Sequence, residues 1–545
     1  MHLASRLSAL VASIALAFGA VAAAQPPQPD QTQLPPPAEQ PQPAPPDQPQ
    51  PPPPDQAQQP PPETALGQPP PPGAQQQPPG DESAAVPPPQ PVQAQPLAPL
   101  DLFSAGRDTG LGPDLWKGSS AELARAVIPA LGDHPVTPAA AALARRVLAA
   151  AAAAPPGAGN DANLAAARAR ALLALGDADT ASLILDHSPS LADNPALSQT
   201  AAEAALIDDQ DDKACAIADA LVQGRSDVYW LRLRAFCQAR AGKPAAQLTM
   251  TLADQAAKDP VFDRMIAVII AGGGSPGPAS LHDGLEYAMS TQLKLDLTPA
   301  LLDAAPPIAA HIAALRAAQS GNQIAPSLAE ADVLTALRKT RTFTEYAAAA
   351  RLMAPSIAAL AQAKATLANP VQMAAAALAA GDLADAQAIR ASLTGDTIPG
   401  ADSTDLAALD AALALAAGRT DAPSLDRLIE RGGAASGEAA RAQAGAAFLV
   451  ALGWSADGSA HAEFAGFNIA RGDAPPARII LLNAAADAHV RGDTAMLVLA
   501  LAETQGPAGP NVADRAAAIR ALDRAGLHDD AHGFAVEGLI GVVSR

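Results

Sequence analysis

The feature that most constrains the fold of this chain is a turn that recurs along it. An Ala/Leu-rich run ends in Gly-Asp or a related pair, and an alanine opens the next apolar run five residues after the glycine. Such turns begin at Gly176, Gly381, Gly472 and Gly526, and two further turns fall at Asp209 and Gly242. The steps from 176 to 209 and from 209 to 242 are 33 residues each, and the step from 492 to 526 is 34. A period of this length predicts stacked helical hairpins.

The composition favours helices over sheets. Hydrophobic residues make up 49% of the chain but aromatic residues only 3%, so the apolar content is mainly Ala, Leu, Val and Ile. Alanine is the strongest helix former, and no alternating runs of strand length recur. We therefore expect an all-α fold. The net charge of −20 disfavours binding to nucleic acid or to an anionic membrane surface, because both are negatively charged.

Residues 1–24 have the pattern of a secretory signal peptide. Arg6 supplies the positive charge, Leu7–Val21 is apolar, and an Ala-Ala-Ala run predicts cleavage between Ala24 and Gln25. Export places the protein in a bacterial periplasm or outside the cell, with no membrane insertion after cleavage. An uncleaved anchor is the alternative, because the apolar stretch is just long enough to span a bilayer.

Residues 25–98 form a segment rich in proline and glutamine. It contains 29 of the 54 prolines of the chain and has almost nothing to bury, which predicts disorder with a semi-stiff, extended character. Three roles stay open: a tether that holds the helical body away from a surface, a ligand for proline-recognition domains, or a passive tail left after signal cleavage.

Residues 99–545 carry the signals of helix boundaries. Thr137-Pro138 and Asn194-Pro195 both combine an N-cap residue with proline at the first helical position. The run from Ala271 to Pro278 is too rich in glycine and proline for a helix interior. We therefore expect an N-terminal helical-repeat lobe at 99–270, a hinge at 271–297 and a C-terminal lobe at 298–545.

At the repeats the sequence resembles the tetratricopeptide family. Stretches that read like its helix-turn-helix core are Ala169–Asp186, Met373–Leu393 and Ala462–Leu482. Trp230 and Leu233 have the family's Trp-x-x-Leu spacing before Gly242, although Arg234 stands where the family has glycine. Intervals of 37, 54 and 20 residues between 381, 418, 472 and 492 break the period. The resemblance implies a right-handed α-solenoid of antiparallel helical hairpins, with a concave groove for peptides or protein partners. The leader, the Pro/Gln tract and the Ala-rich body together resemble uncharacterised exported proteins of alphaproteobacteria.

The two cysteines occupy matching positions on either side of a turn. Cys215 and Cys237 each lie eleven residues from Ser226, the centre of the turn. In an antiparallel hairpin this spacing puts the two side chains at the same height. Export to an oxidising compartment favours a structural disulfide worth about 3 kcal/mol, with two buried free thiols as the alternative. The absence of Cys-x-x-Cys argues against a redox catalyst.

Short matches to catalytic and metal-binding motifs lack the context that these motifs need. Asp108-Thr109-Gly110 has no strands around it, and His528 and His532 have no evident third ligand. Gly273–Gly277 resembles a nucleophile elbow, but proline replaces the residue whose N–H would stabilise an oxyanion. The Glu-Ser pair of soluble lytic transglycosylases occurs only at Glu82-Ser83, inside the Pro/Gln segment. We therefore infer no catalytic residue, no metal ligand and no cofactor.

These observations predict an exported, non-enzymatic scaffold or protein- and peptide-binding module of the bacterial cell envelope. Two alternatives stay open. The chain could be a peptidoglycan-related envelope enzyme, or an accessory of one, with a site that no motif reveals. It could also be a mechanical periplasmic spacer in which the Pro/Gln segment is the working part. The identity of the partner and the oligomeric state do not follow from the sequence.

Overall fold

A computed structural model describes residues 101–188, 191–320, 327–393, 398–434 and 437–543. Within these ranges the chain forms 23 α-helices joined by short turns, and its only extended pairing is an isolated bridge between Arg107 and Ala150. The predicted all-α class is therefore confirmed. None of the described helices has the length and apolarity to cross a bilayer. The predicted signal peptide 1–24 and the Pro/Gln-rich segment 25–98 lie outside the described residues.

The first eleven helices lead from the start of the described chain to residue 320. They are α1 Ala121–Val127, α2 Pro138–Ala149, α3 Ala162–Ala174, α4 Ala178–Asp186, α5 Pro195–Ile207, α6 Asp211–Ala220, α7 Val228–Arg240, α8 Ala245–Ala256, α9 Pro260–Ala271, α10 Gly284–Gln292 and α11 Pro306–Ser320. As predicted, α2 and α5 begin at Pro138 and Pro195. The Asn194 side chain caps α5 by accepting a hydrogen bond from the backbone N–H of Leu197.

The remaining twelve helices complete the described part of the chain. They are α12 Glu330–Arg338, α13 Phe343–Gln362, α14 Pro370–Ala380, α15 Leu383–Ala391, α16 Ser403–Ala416, α17 Ala422–Gly433, α18 Ala439–Ala451, α19 Gly458–Ala465, α20 Pro476–Asp487, α21 Arg491–Gln505, α22 Val512–Arg524 and α23 His528–Val543. Most helices that follow one another in the chain also pack against each other, because the connections between them are short.

The 33-residue period corresponds to three helical hairpins. The pairs α3/α4, α5/α6 and α7/α8 turn at Gly176, Asp209 and Gly242, whose φ angles of 79°, 56° and 63° are left-handed. Glycine adopts this conformation without strain, and aspartate is among the few other residues that tolerate it. The three predicted turns at Gly176, Asp209 and Gly242 are therefore present, and at each of them the chain reverses direction within a few residues.

One predicted turn position, Gly492, is wrong. Gly492 lies inside α21, and the left-handed residue before that helix is His489. A Cβ atom on Gly492 would lie 2.3 Å from Ser119 Oγ and 2.7 Å from the Trp116 ring, so the glycine allows an earlier segment of the chain to pack closely. Gly472 lies, as predicted, in the loop between α19 and α20, but it lacks the left-handed φ of the hairpin turns and packs against Asp514.

The described chain has two main hydrophobic cores and a small third one. The largest core combines residues 102–204 with residues 333–543, because α1 packs on α21 and α2 packs on α21 and α23. Side chains from α5, α6, α7, α9 and α10 form the second core. The boundary between the two cores therefore falls within residues 99–270, the segment expected to form a single lobe.

The segment expected to be a hinge contains both an exposed loop and a packed helix. Gly272 ends α9 in a left-handed conformation, and the glycine- and proline-rich residues after it are mostly exposed. Residues 284–290 in α10 are buried, and α10 packs on α5. Residues 271–297 therefore carry the chain back onto the hairpins of the second core.

Candidate functional site

A large cavity lies beside α5. Its volume is about 610 Å³, and its walls come from α3, α5, the first turn of α7, the loop before α10 and the start of α11. Small side chains such as Ala166, Ala167 and Ala196 leave the space open, because helices that present alanine fill little of the volume between them. We call this space the α5 cavity. Its size is typical of a ligand site, which spans about 300–1,000 Å³.

Glu203 is the central acid of the α5 cavity. It lies in the last two turns of α5, and its Oε2 accepts a hydrogen bond of 2.5 Å from the backbone N–H of Gly284, the first residue of α10. A Cβ atom at position 284 would lie 2.7 Å from the same oxygen. A side chain at position 284 would therefore displace the Glu203 carboxyl group and crowd the backbone of α5. The positive end of the α10 dipole faces this carboxyl group.

Burial and neighbouring charges change how the acids of this cavity ionise. Burial raises the pKa of Glu203 to about 8, and the nearby Asp283 carboxylate adds to the rise. Burial also raises the pKa of Asp283 to about 6. The hydrogen bond that its carboxylate accepts from the backbone N–H of Glu286 lowers this pKa but does not cancel the effect of burial. At neutral pH Glu203 is therefore mainly protonated, and its carboxyl group can donate a hydrogen bond.

Tyr229 faces Glu203 from the first turn of α7. Burial raises the pKa of the Tyr229 hydroxyl well above its usual value, and the Glu203 carboxyl raises it further. Among the described residues, neither this hydroxyl nor Glu203 Oε1 has a hydrogen-bond partner in good geometry, and both atoms are closed to bulk water. Since Oε2 already accepts the N–H of Gly284, the proton of the neutral carboxyl belongs on Oε1. Two O–H groups therefore lie side by side just behind the wall of the cavity, close enough for one to donate to the other.

A second network fixes the loop that carries Asp283. The buried Glu286 accepts hydrogen bonds at Oε2 from the Ser280 hydroxyl (2.6 Å) and from the backbone N–H of His282 (3.0 Å). The imidazole Nδ1 of His282 lies 3.1 Å from the same oxygen, and the rest of that ring is largely exposed at the cavity. These contacts hold Asp283 at the start of α10, beside Glu203.

The opposite side of the α5 cavity carries an ion pair. Arg170 of α3 lines it, half-exposed, with its guanidinium 3.9 Å from the Asp133 carboxylate. Asn163 and Gln199 add amide groups between the two sides. A ligand that presents both hydrogen-bond donors and acceptors, as a peptide backbone does, matches this lining.

The predicted disulfide is confirmed. Cys215 of α6 and Cys237 of α7 are bonded at an S–S distance of 1.96 Å, with their Cα atoms 5.6 Å apart. Ala24 and Gln25, the predicted cleavage site, lie outside the described residues. Among the residues that are described, no group of three or more His, Cys, Asp or Glu side chains has an arrangement that could hold a metal ion.

Sequence reasoning missed Glu203, Tyr229 and Asp283. The available signal was that Glu203 is the only charged residue of helix α5, which is otherwise mainly apolar. Comparison of the chain with protein-family models, curated proteins and solved structures finds no match. The chemistry of this site therefore has to be argued from its own geometry.

The raised pKa of Glu203 predicts a pH-dependent stability. An unfolded glutamate has a pKa near 4.3, so between that pH and about 8 the folded chain holds a proton that the unfolded chain releases. Stability from this group is therefore present at low pH and is lost as the pH rises through about 8. At pH 9 we expect Glu203→Gln to have a free energy of unfolding about 2 kcal/mol higher than that of the wild type, and therefore a higher unfolding temperature.

This difference should shrink as the pH falls towards 5, in thermal unfolding followed by circular dichroism. The control is Glu430→Gln on the exposed face of α17, which should follow the wild type at every pH. If the stability of the wild type and that of Glu203→Gln change in parallel between pH 5 and pH 9, the pKa of Glu203 is not raised in the folded chain.

Proposed function

We propose that this chain is an exported helical-repeat module of the bacterial cell envelope that binds a protein or peptide segment in the α5 cavity. The arrangement that we propose is an α-solenoid of tetratricopeptide-like hairpins, of which α3/α4, α5/α6 and α7/α8 are the most regular. The periodic turns support this architecture, and the Cys215–Cys237 bond is compatible with an oxidising compartment.

The observation that carries the proposal is the pair of hydroxyl donors at Glu203 and Tyr229. A backbone carbonyl is the group that two such donors recognise, and we propose that the ligand draws both O–H groups from their buried position into the cavity, where the low local dielectric strengthens the hydrogen bonds. The amide groups of Asn163 and Gln199 can pair with the N–H and C=O groups of the neighbouring residues of the ligand. We therefore propose that the ligand is an extended peptide segment with a carbonyl at Glu203.

Photo-crosslinking in a bacterial host tests this proposal. A photoreactive amino acid at Gln199, an exposed position in the cavity lining, should capture a discrete partner. The matched control is the same amino acid at Gln247, an exposed glutamine on α8 that is not part of the lining. Capture at Gln199 alone supports the cavity as the binding site, whereas equal capture at both positions, or none, contradicts it.

Substitutions at Glu203 then identify the chemistry. Glutamine keeps a donor and an acceptor, so Glu203→Gln should retain most of the capture. Glu203→Ala should lose about fivefold, because the hydrogen bond from its carboxyl group to the ligand disappears. Melting curves of both variants show whether the fold is retained.

A second candidate function is hydrolysis, because a carboxyl group protonated at neutral pH beside a second acid is also the arrangement of a general acid. This alternative is an envelope enzyme acting on peptidoglycan or on peptides. The purified full chain would then release soluble fragments, and Glu203→Gln would abolish the release because an amide cannot donate the catalytic proton. Fragment release by the wild type that disappears in Glu203→Gln would indicate hydrolysis, whereas capture by the wild type without any release would indicate binding alone.

A further inference from the structure

The disulfide lines a cavity of its own on another face of the hairpins. Cys215 and Cys237 are both only partly buried, and together they border a space of about 290 Å³ between α6 and α7. A disulfide that serves only to fasten a core has no need of such access. We call this space the disulfide cavity. It is large enough for a small thiol to approach the two sulfur atoms.

The charges around the two sulfur atoms differ. On α7, Arg234 and Arg240 lie three residues before and after Cys237, and Lys243 follows the helix. All three cations line the disulfide cavity. Positive charges about one helical turn away on either side favour the thiolate form of Cys237, which is the form that reacts.

On α6, by contrast, the neighbours of Cys215 are acidic. Asp212 and Asp219 lie three residues before it and four residues after it, and both line the disulfide cavity. Asp211 and Asp212 also form ion pairs with Arg240, at 3.4 Å and 3.1 Å. Negative charge on this helix disfavours a thiolate at Cys215. The lining still holds three cations against two carboxylates, although the whole chain carries a net charge of −20.

We propose that Cys215–Cys237 is a site of thiol–disulfide exchange in which Cys237 is the reactive thiol. The reductant is a thiol compound or a dithiol protein of the compartment. Its thiolate attacks the sulfur of Cys215, a mixed disulfide forms, and the sulfur of Cys237 leaves as a thiolate stabilised by Arg234 and Arg240. A second thiolate of the reductant, either from another molecule of the thiol compound or from the other cysteine of the dithiol protein, then attacks the reductant's sulfur in the mixed disulfide. Cys215 is released and takes up a proton from water, and the reductant is oxidised to its own disulfide.

Exchange does not require the helices to separate. Trp230, Leu233 and Phe236 of α7 are buried in the second core and hold α7 against its neighbours independently of the bond. Reduction should therefore remove a covalent link between the second and third hairpins while the helices stay folded.

Reduction of the native full chain with millimolar glutathione at neutral pH tests the site. Thiols are trapped with N-ethylmaleimide and located by peptide mass spectrometry, and circular dichroism confirms that the helices persist. We expect the disulfide to open in the folded protein, with the glutathione adduct on Cys215 and the maleimide on Cys237. In the fully reduced chain, limiting iodoacetamide should label Cys237 at least about threefold faster than Cys215.

Variants of α7 link this preference to the charges. Arg234→Gln and Arg240→Gln together should bring the two labelling rates close to equality. The matched control is Arg232→Gln on the same helix, because Arg232 pairs with Asp259 and is not part of the lining. A disulfide that resists glutathione until the chain unfolds, or faster labelling of Cys215 than of Cys237, would overturn the proposal.

Discussion

Replacing Arg168 with methionine is expected to lower the free energy of unfolding by about 4 kcal/mol. Only 1% of this arginine is exposed, although it carries a charge. Its guanidinium donates to four backbone carbonyls, those of Leu148 and Ala150 at the end of α2 and those of Phe103 and Ala105 in the segment before α1. A single side chain thus joins three separate parts of the backbone.

Methionine fills a similar volume but supplies no donors. Each buried carbonyl left without a partner costs about 1–3 kcal/mol, and these terms are not additive because the segment can shift and admit water. Burial lowers the pKa of Arg168 to about 10, partly offset by Asp101, so the side chain is still charged at neutral pH. The charged donors make these hydrogen bonds stronger than neutral ones.

Denaturant unfolding followed by circular dichroism measures the loss. The matched control is Arg170→Met, two residues further along α3, where the side chain is 51% exposed and its ion pair with Asp133 spans 3.9 Å. This control should change the free energy by less than about 1 kcal/mol. Arg168→Lys should fall between the two, since lysine keeps the charge but not the planar fork. If Arg168→Met has the same free energy of unfolding as Arg170→Met, the four hydrogen bonds do not stabilise the fold as described.

The parts of the fold that sequence analysis predicted are those set by local chemistry. Proline after an N-cap residue predicted the starts of α2 and α5, and the left-handed turns at Gly176 and Gly242 followed from glycine's backbone freedom. The Cys215–Cys237 pairing followed from equal distances to a single turn, which is also local geometry.

The remaining features depend on which helices meet, and that information is not local. Most helices present similar small faces of alanine and leucine, so no pattern distinguishes the true neighbour of α5 from the others. Glu203 and Gly284 are 81 residues apart, and their contact exists because α10 returns to α5. Gly492 looked like one more turn because a glycine needed for close packing and a glycine needed for a positive φ have the same sequence signal.

Glu537 joins the beginning of the described chain to its end, and we expect Glu537→Ala to destabilise the fold by about 3–5 kcal/mol. Its Oε1 lies 2.7 Å from Arg515 Nη1, and these two side chains are only 4% and 6% exposed. Its Oε2 accepts a hydrogen bond of 2.9 Å from the backbone N–H of Ala139, in the first turn of α2.

Alanine at position 537 would leave two buried groups without their partner. Arg515 would keep a charge that bulk water cannot reach, and its freedom to move is small because Gly509 and Gly538 pack directly on it. The N–H of Ala139 would lose its acceptor at the positive end of the α2 dipole, where a carboxylate is favourable. The penalty is therefore dominated by the uncompensated charge and not by the loss of a contact.

A double-mutant cycle separates these terms. Arg515→Met combined with Glu537→Ala should be less destabilising than the sum of the two single substitutions by at least about 1 kcal/mol, because the unpaired charge is gone. Glu122→Ala is the control, since its ion pair with Arg125 has the same 2.7 Å length but Glu122 is 85% exposed. That control should change the free energy of unfolding by less than about 0.5 kcal/mol. If the two single substitutions at 515 and 537 prove additive, the buried ion pair contributes no coupling between α22 and α23, and the loss at position 537 comes from the N–H of Ala139 and from packing.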